Sequence, residues 1–191
     1  MSSSMRMKSS ETDTTVHGVC VRIFDLGVLL IGASGIGKSE CALELVTKGH
    51  RLIADDIVNI RKESSTSLVA SAFETGKNHM EIRGLGILNV QELFGSNAVC
   101  DETELELVIE ILEWDPQHDY ERVGLTDHFY RIFDTDIPFV QLPIRAGRSL
   151  STIVEVAALN QLLKMRGINA AQTFQENLLT KLKAESKKGS L

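Results

Sequence analysis

Apolar residues along the chain fall into short blocks separated by turn formers. Val19-Cys20-Val21-Arg22-Ile23-Phe24 and Gly27-Val28-Leu29-Leu30-Ile31 are compact, partly β-branched runs that predict buried strands. Glu40 to Val46 is helix-forming and amphipathic. Arg51-Leu52-Ile53-Ala54 reads as a short strand entered through Lys48-Gly49-His50, with Gly49 ending the helix. The middle is strand-rich: Thr66 to Ala72, Leu85 to Val90, Leu105 to Leu112, Tyr130 to Phe133 and Val140 to Leu142, each broken by Gly, Asp or Pro. Ser149 to Arg166 carries Leu150, Ile153, Val154, Ala157, Ala158, Leu162 and Met165 at helical spacing, and Gly167 closes it. Asn169 with Gln172 opens a final helix whose apolar face is Phe174, Leu178 and Leu182. The two helices read as packing elements or as a contact with a subunit or partner. Strand, helix and strand at the start, with helices at the end, make an α/β domain.

Composition narrows this picture. A chain of 191 residues can bury a sizeable core, and a single domain is expected. Its 43% hydrophobic and 24% charged residues are ordinary for a globular protein. A net charge of −6 without a basic stripe argues against general nucleic-acid binding. Lys181, Lys183, Lys187 and Lys188 read as the solvated face of a helix. Cys20, Cys41 and Cys100 are odd in number and lack C-x-x-C spacing, so they imply neither a disulfide framework nor a zinc site; reduced thiols in a cytoplasmic protein fit them best. Met1 to Thr15 is rich in Ser and Thr without an apolar run, and is expected to be a disordered leader or linker ahead of a domain spanning 16–191. No run of about 18 apolar residues occurs, so no membrane-spanning helix is expected.

Candidate chemistry starts at Gly32-Ala33-Ser34-Gly35-Ile36-Gly37-Lys38-Ser39, which completes the pattern G-x-x-x-x-G-K-S. Gly32, Gly35 and Gly37 let successive amide N–H groups surround an anion, and the following helix points its positive end at the same place. Lys38 is then expected to reach the β- and γ-phosphates, and the Ser39 hydroxyl to ligate Mg²⁺. The flanks agree, since strand, glycine loop and helix come in the required order.

Asp55-Asp56 follows at the carboxyl end of the short strand, where ligands bind in open α/β sheets. Neighbouring strand residues point to opposite faces, so one of the two carboxylates is expected to face the nucleotide; the pattern does not say which. Two further segments stand out. Glu81-Ile82-Arg83-Gly84-Leu85-Gly86-Ile87-Leu88-Asn89-Val90 has paired glycines and alternating charge, which suggest a loop whose backbone closely approaches another group, with an ordinary hairpin or bulge as the alternative. Pro143-Ile144-Arg145-Ala146-Gly147-Arg148 sets two guanidiniums around a glycine ahead of a helix, which suits a second anion.

In order along the chain, His17-Gly18-Val19, Gly32 to Glu40, Gly49 to Asp56, Glu81 to Ile87, Leu93-Phe94-Gly95, Arg122 and Glu155-Val156-Ala157-Ala158 resemble the catalytic domain of HPr kinase/phosphorylase. The resemblance covers roughly His17 to Leu179. It implies a P-loop domain with a central mixed sheet, a nucleotide site of the phosphoenolpyruvate carboxykinase kind and carboxy-terminal helices. Most relatives carry a separate amino-terminal domain ahead of this one, so the resemblance implies either a naturally short member or an excised catalytic domain. The implied activity is phosphorylation of a serine of HPr, the phosphocarrier of the bacterial sugar phosphotransferase system, from ATP or pyrophosphate with Mg²⁺. The reverse reaction uses inorganic phosphate and releases pyrophosphate.

Each direction needs one acid–base group; Asp56 is the expected one, with Asp55 the alternative. Lys38 is expected to neutralise charge on the transferring group, and Ser39 with Glu81 to hold Mg²⁺. The resemblance adds His17 and Arg122 to the active site. It further implies that Glu81, Ile82, Arg83, Gly84, Leu85 and Gly86 form a signature loop, that Arg145, Gly147 and Arg148 serve phosphorolysis, and that the protein assembles as a hexamer. The sequence departs from the family's pattern at Ala33, where aspartate is frequent, and at Arg145-Ala146, where lysine and proline are. A catalytically silent nucleotide-binding regulatory module and a small-molecule kinase use similar parts, although the intact set Lys38, Ser39, Asp55, Asp56 and Glu81 weighs against the silent module.

Overall fold

The computed structural model of the chain describes residues 12–120, 124–145, 147 and 149–188, with side chains as far as 182. Arg122, Arg148 and residues 1–11 of the expected leader lie outside the described residues. In chain order the elements are β1 (Asp13–His17), β2 (Val19–Ile23), β3 (Leu26–Gly32), α1 (Lys38–Thr47), β4 (Arg51–Ala54), β5 (Ile57–Lys62), β6 (Leu68–Ala72), β7 (His79–Ile82), β8 (Gly86–Asn89), α2 (Val90–Phe94), β9 (Glu102–Glu113), β10 (His128–Ile132), β11 (Thr135–Ile144), α3 (Leu150–Met165) and α4 (Ala170–Lys188).

The described strands form one mixed sheet of nine strands and a separate two-stranded hairpin, β7–β8. β9 lies at its centre. Its residues 105–111 pair in parallel with β3 and its residues 108–113 in parallel with β11, so those two strands occupy opposite edges of it. β9 interleaves glutamates with apolar residues, and Leu105, Leu107, Val108, Ile109 and Ile111 are its buried apolar positions. β2 runs antiparallel to β3 and also antiparallel to β4, so β4 has the same sense as β3. Four strand ends, those of β3, β4, β9 and β11, therefore emerge along one edge of the sheet. The site is built there.

Alternation along the strands feeds two apolar layers. Val19, Val21, Ile23, Val28 and Leu30 face one, with Leu45 and Val46 of α1 and Val154 and Ala158 of α3. Cys20 and Leu29 face the other, with Val58, Ile60, Leu68, Val108, Ile132 and Ile137. Each fully buried Leu or Ile contributes roughly 2 kcal/mol. Burial pushes the thiols of Cys20 and Cys41 up to about 12, leaving both inert.

Two expectations need correction. Asp13, Thr14 and Thr15, expected in the leader, open β1, which pairs antiparallel with β5 from Asp13↔Arg61 to His17↔Ile57. β1 is an edge strand made mainly of polar residues, and edge pairing leaves no apolar run to read. β5 itself was not expected; only Val58 and Ile60 are buried in it, alternating with Asn59 and Arg61. The final helix is capped as expected, with Asn169 Oδ1 accepting from the N–H groups of Ala171 and Gln172. Its apolar face is left uncovered by the described residues, Phe174, Leu178 and Leu182 all being exposed.

A polar seam fastens α3 to α1 behind the site. His50, 6% exposed, accepts the Phe24 N–H on Nδ1 at 3.3 Å, so its neutral ring carries the proton on Nε2 and donates to Glu155 Oε1 at 3.1 Å. Lys48 Nζ donates to the other carboxylate oxygen at 3.1 Å. The bonds from His50 and then Lys48 hold the Glu155 carboxyl below its ordinary 4.5. A carboxylate with a depressed folded-state pKa stabilises the fold above the unfolded value, and that stability is lost as pH falls through the depressed one. Glu155→Gln is therefore expected to cost about 1 kcal/mol, or roughly 3 °C in Tm, at neutral pH. Thermal melts of both proteins across acid pH check this: the difference should close below pH 4.5, on the acid side of the ordinary carboxyl value.

Candidate active site

Gly32 ends β3 with φ 143°, and a Cβ built on it would lie 2.4 Å from the Ile111 carbonyl oxygen. Only glycine lets the chain leave the sheet so close to β9. The loop then turns into α1 at Gly37, whose carbonyl accepts the Cys41 N–H at 2.9 Å. Lys38 is buried and folds back over the loop, its Nζ donating to the carbonyls of Gly32 at 2.9 Å and Ala33 at 3.0 Å. These contacts curl Gly32 to Ser39 into one turn with the ammonium inside it, the shape of a phosphate cradle.

The two aspartates part company. Asp55 turns inward: its Oδ1 accepts the Ser39 hydroxyl at 2.8 Å and its Oδ2 accepts the Glu81 backbone N–H at 2.9 Å. Burial raises its pKa above the ordinary 3.8, and the bonds from Glu81 and Ser39 oppose the rise. Asp56 turns outward. Its φ of 68° lies in the left-handed region, which aspartate tolerates better than most residues. Its carbonyl accepts the Gly18 N–H at 2.9 Å, and its exposed carboxylate meets His17 Nδ1 at 3.2 Å. His17 thus joins the site through the β1–β2 connection, which reaches the same sheet edge.

The signature segment is the β7–β8 hairpin, with Glu81 opposite Ile87 and Ile82 opposite Gly86. Between hairpin and bulge, the structure has the hairpin. Its backbone approach to Asp55 is direct. Its turn carries Arg83 over the phosphate loop: a Cβ built on Gly35 would lie 3.2 Å from Arg83 Nη2. Arg83 makes no hydrogen bond or ion pair with any described residue, so a free guanidinium stands beside the cradle. The glycines had signalled close approach, but no periodicity links residues 35 and 83.

Ser39 and Asp55 supply oxygen donors, which suit a hard cation. Among the described residues no group of three His, Cys, Asp or Glu stands close enough to hold a metal alone. Phosphate oxygens and water have to complete such a shell, as they commonly do for Mg²⁺. What the structure ties to Asp55 is the backbone N–H of Glu81; its carboxylate is exposed on the hairpin.

A cleft of about 1220 Å³ opens beyond the aspartates, lined by Asp55, Asp56, Ile57, Phe73, His79, Glu81 and Ile87 among others. No phosphate-loop residue lines it. The carboxylate pair therefore stands between two spaces, the anion cradle and this open groove. Sequence reasoning missed the groove, because β1, β5 and the hairpin that wall it are far apart in the chain. Arg145 follows β11 at the same edge of the sheet, with its guanidinium carbon 3.6 Å from the centroid of the Trp114 ring. Gly147 lies in the same loop, with φ 88°.

The profile of the HPr serine kinase C-terminal domain matches residues 8–178. The HPr kinase/phosphorylase of Geobacter sulfurreducens is 48% identical over 169 residues, covering 88% of this chain and 53% of the relative. The enzyme of the same name from Geobacillus kaustophilus is 50% identical over 165 residues, covering 86% of this chain and 53% of the relative. The chain spans about half the length of these curated relatives. The solved structure of the Hpr(Ser) kinase/phosphatase from Coxiella burnetii superposes with a TM-score of 0.75 at 31% identity, covering 85% of this chain and 99% of that one. With fold, phosphate cradle and paired carboxylates in agreement with that likeness, the chain belongs to the HPr serine kinase C-terminal domain family.

Proposed function

We propose that the chain is the catalytic part of a protein-serine kinase/phosphorylase acting on HPr, with ATP or pyrophosphate as donor in one direction and inorganic phosphate as acceptor in the other. One observation carries the reading: of two adjacent aspartates, Asp55 has both oxygens engaged inward while Asp56 offers an exposed carboxylate to the open groove. A base that serves an incoming hydroxyl has to stand on the acceptor side. The curated relatives bear the matching name.

In the forward direction the serine hydroxyl enters from the groove and gives its proton to Asp56 as its oxygen attacks the terminal phosphorus. The bond from that phosphorus to the leaving ADP oxygen breaks. In reverse, a phosphate oxygen attacks the phosphoserine phosphorus, the serine oxygen leaves with the proton from Asp56, and pyrophosphate is released. His17 orients the Asp56 carboxylate. Lys38 and Arg83 bring two positive charges to the transferring group from opposite parts of the chain. Ser39 and Asp55, with Glu81, are the residues that would hold Mg²⁺, which when bound neutralises phosphate charge. Arg122, Arg145 and Arg148 complete the proposed anion contacts. The reading sets the reaction in the cytoplasm, and the exposed apolar faces of α3 and α4 support assembly into a hexamer.

Incubation with ATP, Mg²⁺ and HPr, followed by intact-protein mass, should give one added phosphoryl group that inorganic phosphate then removes with formation of pyrophosphate. Nucleotide binding without any mass shift would refute the kinase. Asp56→Asn is expected to slow transfer roughly a thousandfold with nucleotide affinity retained. Asp55→Asn should fold, because an amide can accept from Glu81 N–H and donate to Ser39, and its loss should appear as a raised Mg²⁺ requirement; equal pure rate losses in both variants would contradict the division of roles. Arg83→Gln is expected to lower the transfer rate roughly a hundredfold, with partial recovery in Arg83→Lys. Steady-state kinetics with unchanged rates would remove Arg83 from the mechanism.

A further inference from the structure

β9 and β11 end side by side, Glu113 opposite Ile144, and the Trp114 N–H donates to the Ile144 carbonyl at 3.2 Å. The residues that follow each strand, Trp114 and Arg145, are thereby brought face to face, with the guanidinium carbon 3.6 Å from the indole centroid. The indole is braced in turn. Tyr120 packs against it at a centroid distance of 4.9 Å, and its hydroxyl donates to the Glu113 carbonyl at 3.3 Å while accepting the Asp115 N–H at 3.0 Å. His118 lies 4.5 Å from the Tyr120 ring. The segment after β9 is thus folded into a support for one half-buried tryptophan.

Stacking uses the face of a guanidinium and leaves its donors, which lie in the plane, unspent. Arg145 is exposed and makes no hydrogen bond or ion pair with any described residue. A side chain held by its face loses less rotamer freedom when an anion takes its edge. Its position is defined by the sheet: Ile111 of β9 pairs with Gly32 on one side and Leu142 on the other, so Leu142 stands two strand spacings, about 10 Å, from the start of the phosphate loop, and Arg145 follows three residues further on at the same edge.

We propose that Trp114 is a positioning residue that holds Arg145 by its face and presents its donor edge to a free phosphate or pyrophosphate beside the phosphate loop. This rests on the reading of the Arg145 loop as a second anion site. The effect falls on the direction that consumes phosphate, since the forward reaction brings its phosphates in on the nucleotide or pyrophosphate held by the glycine loop.

Trp114 is the one tryptophan of the chain, so intrinsic fluorescence reports on this stack alone. Titration with inorganic phosphate, and separately with pyrophosphate, should change the emission saturably, the tighter arm naming the ligand; a flat response to both overturns the proposal. In kinetics, Trp114→Leu is expected to raise the KM for phosphate in phosphoserine-HPr phosphorolysis about fivefold, while the kinase kcat stays within about twofold. Trp114→Phe, which keeps a ring face, should recover most of the loss. An unchanged KM for phosphate, or equal losses in both directions, overturns it. Arg145→Gln separates the two layers: if it leaves the KM for phosphate unchanged, the anion-site reading falls and this inference with it, whereas a raised KM in Arg145→Gln without one in Trp114→Leu removes only the role of Trp114.

Discussion

A single half-buried carboxylate organises the site. Asp55 leaves β4 and binds the Ser39 hydroxyl of α1 with one oxygen and the Glu81 N–H of β7 with the other. Three segments separated in sequence are thereby fixed about one point. Partial desolvation of the charge costs stability and raises its pKa, and its two hydrogen bonds offset part of that cost without reversing the rise. The hairpin belongs to no other sheet, so this bond is a principal tie between Glu81 and the sheet edge. Through it, Arg83 comes to lie over Gly35.

The arrangement divides labour between neighbours in the chain. In the proposed reaction Asp55 serves structure and the metal side, while Asp56, one residue on and in a left-handed conformation, faces the open groove with His17. Alternation alone sends adjacent strand residues to opposite faces. The left-handed backbone at Asp56 completes the turn away from the cradle, a local strain held by the Gly18 bond and repaid in position. Sheet topology does the rest: antiparallel β2 between β3 and β4 brings the phosphate loop and the aspartates to the same edge.

Much of this was legible in the chain because it is local. The glycine loop is read from its own residues and flanks, and so are α1, β4 and the cap Asn169. What escaped reading depends on contacts across long separations. The choice between Asp55 and Asp56 follows from Ser39 and Glu81 meeting the first and His17 the second, and no pattern encodes those meetings. Arg83 and Gly35 are joined only by the fold, as are Trp114 and Arg145. β1 is polar because it lies at an edge, and the apolar stripe of α4 predicts a buried face without saying whether its cover lies in the same chain.

The division between the aspartates is most directly tested by a crystal structure with Mn²⁺ and pyrophosphate, located by anomalous scattering. The account predicts pyrophosphate within the Gly32 to Ser39 turn and the metal about 2.1 Å from Ser39 Oγ, on the Asp55 side, with the Asp56 carboxylate outside the metal shell and still facing the groove beside His17. Direct coordination of the metal by Asp56, with Asp55 left on its hydrogen bonds, would contradict it.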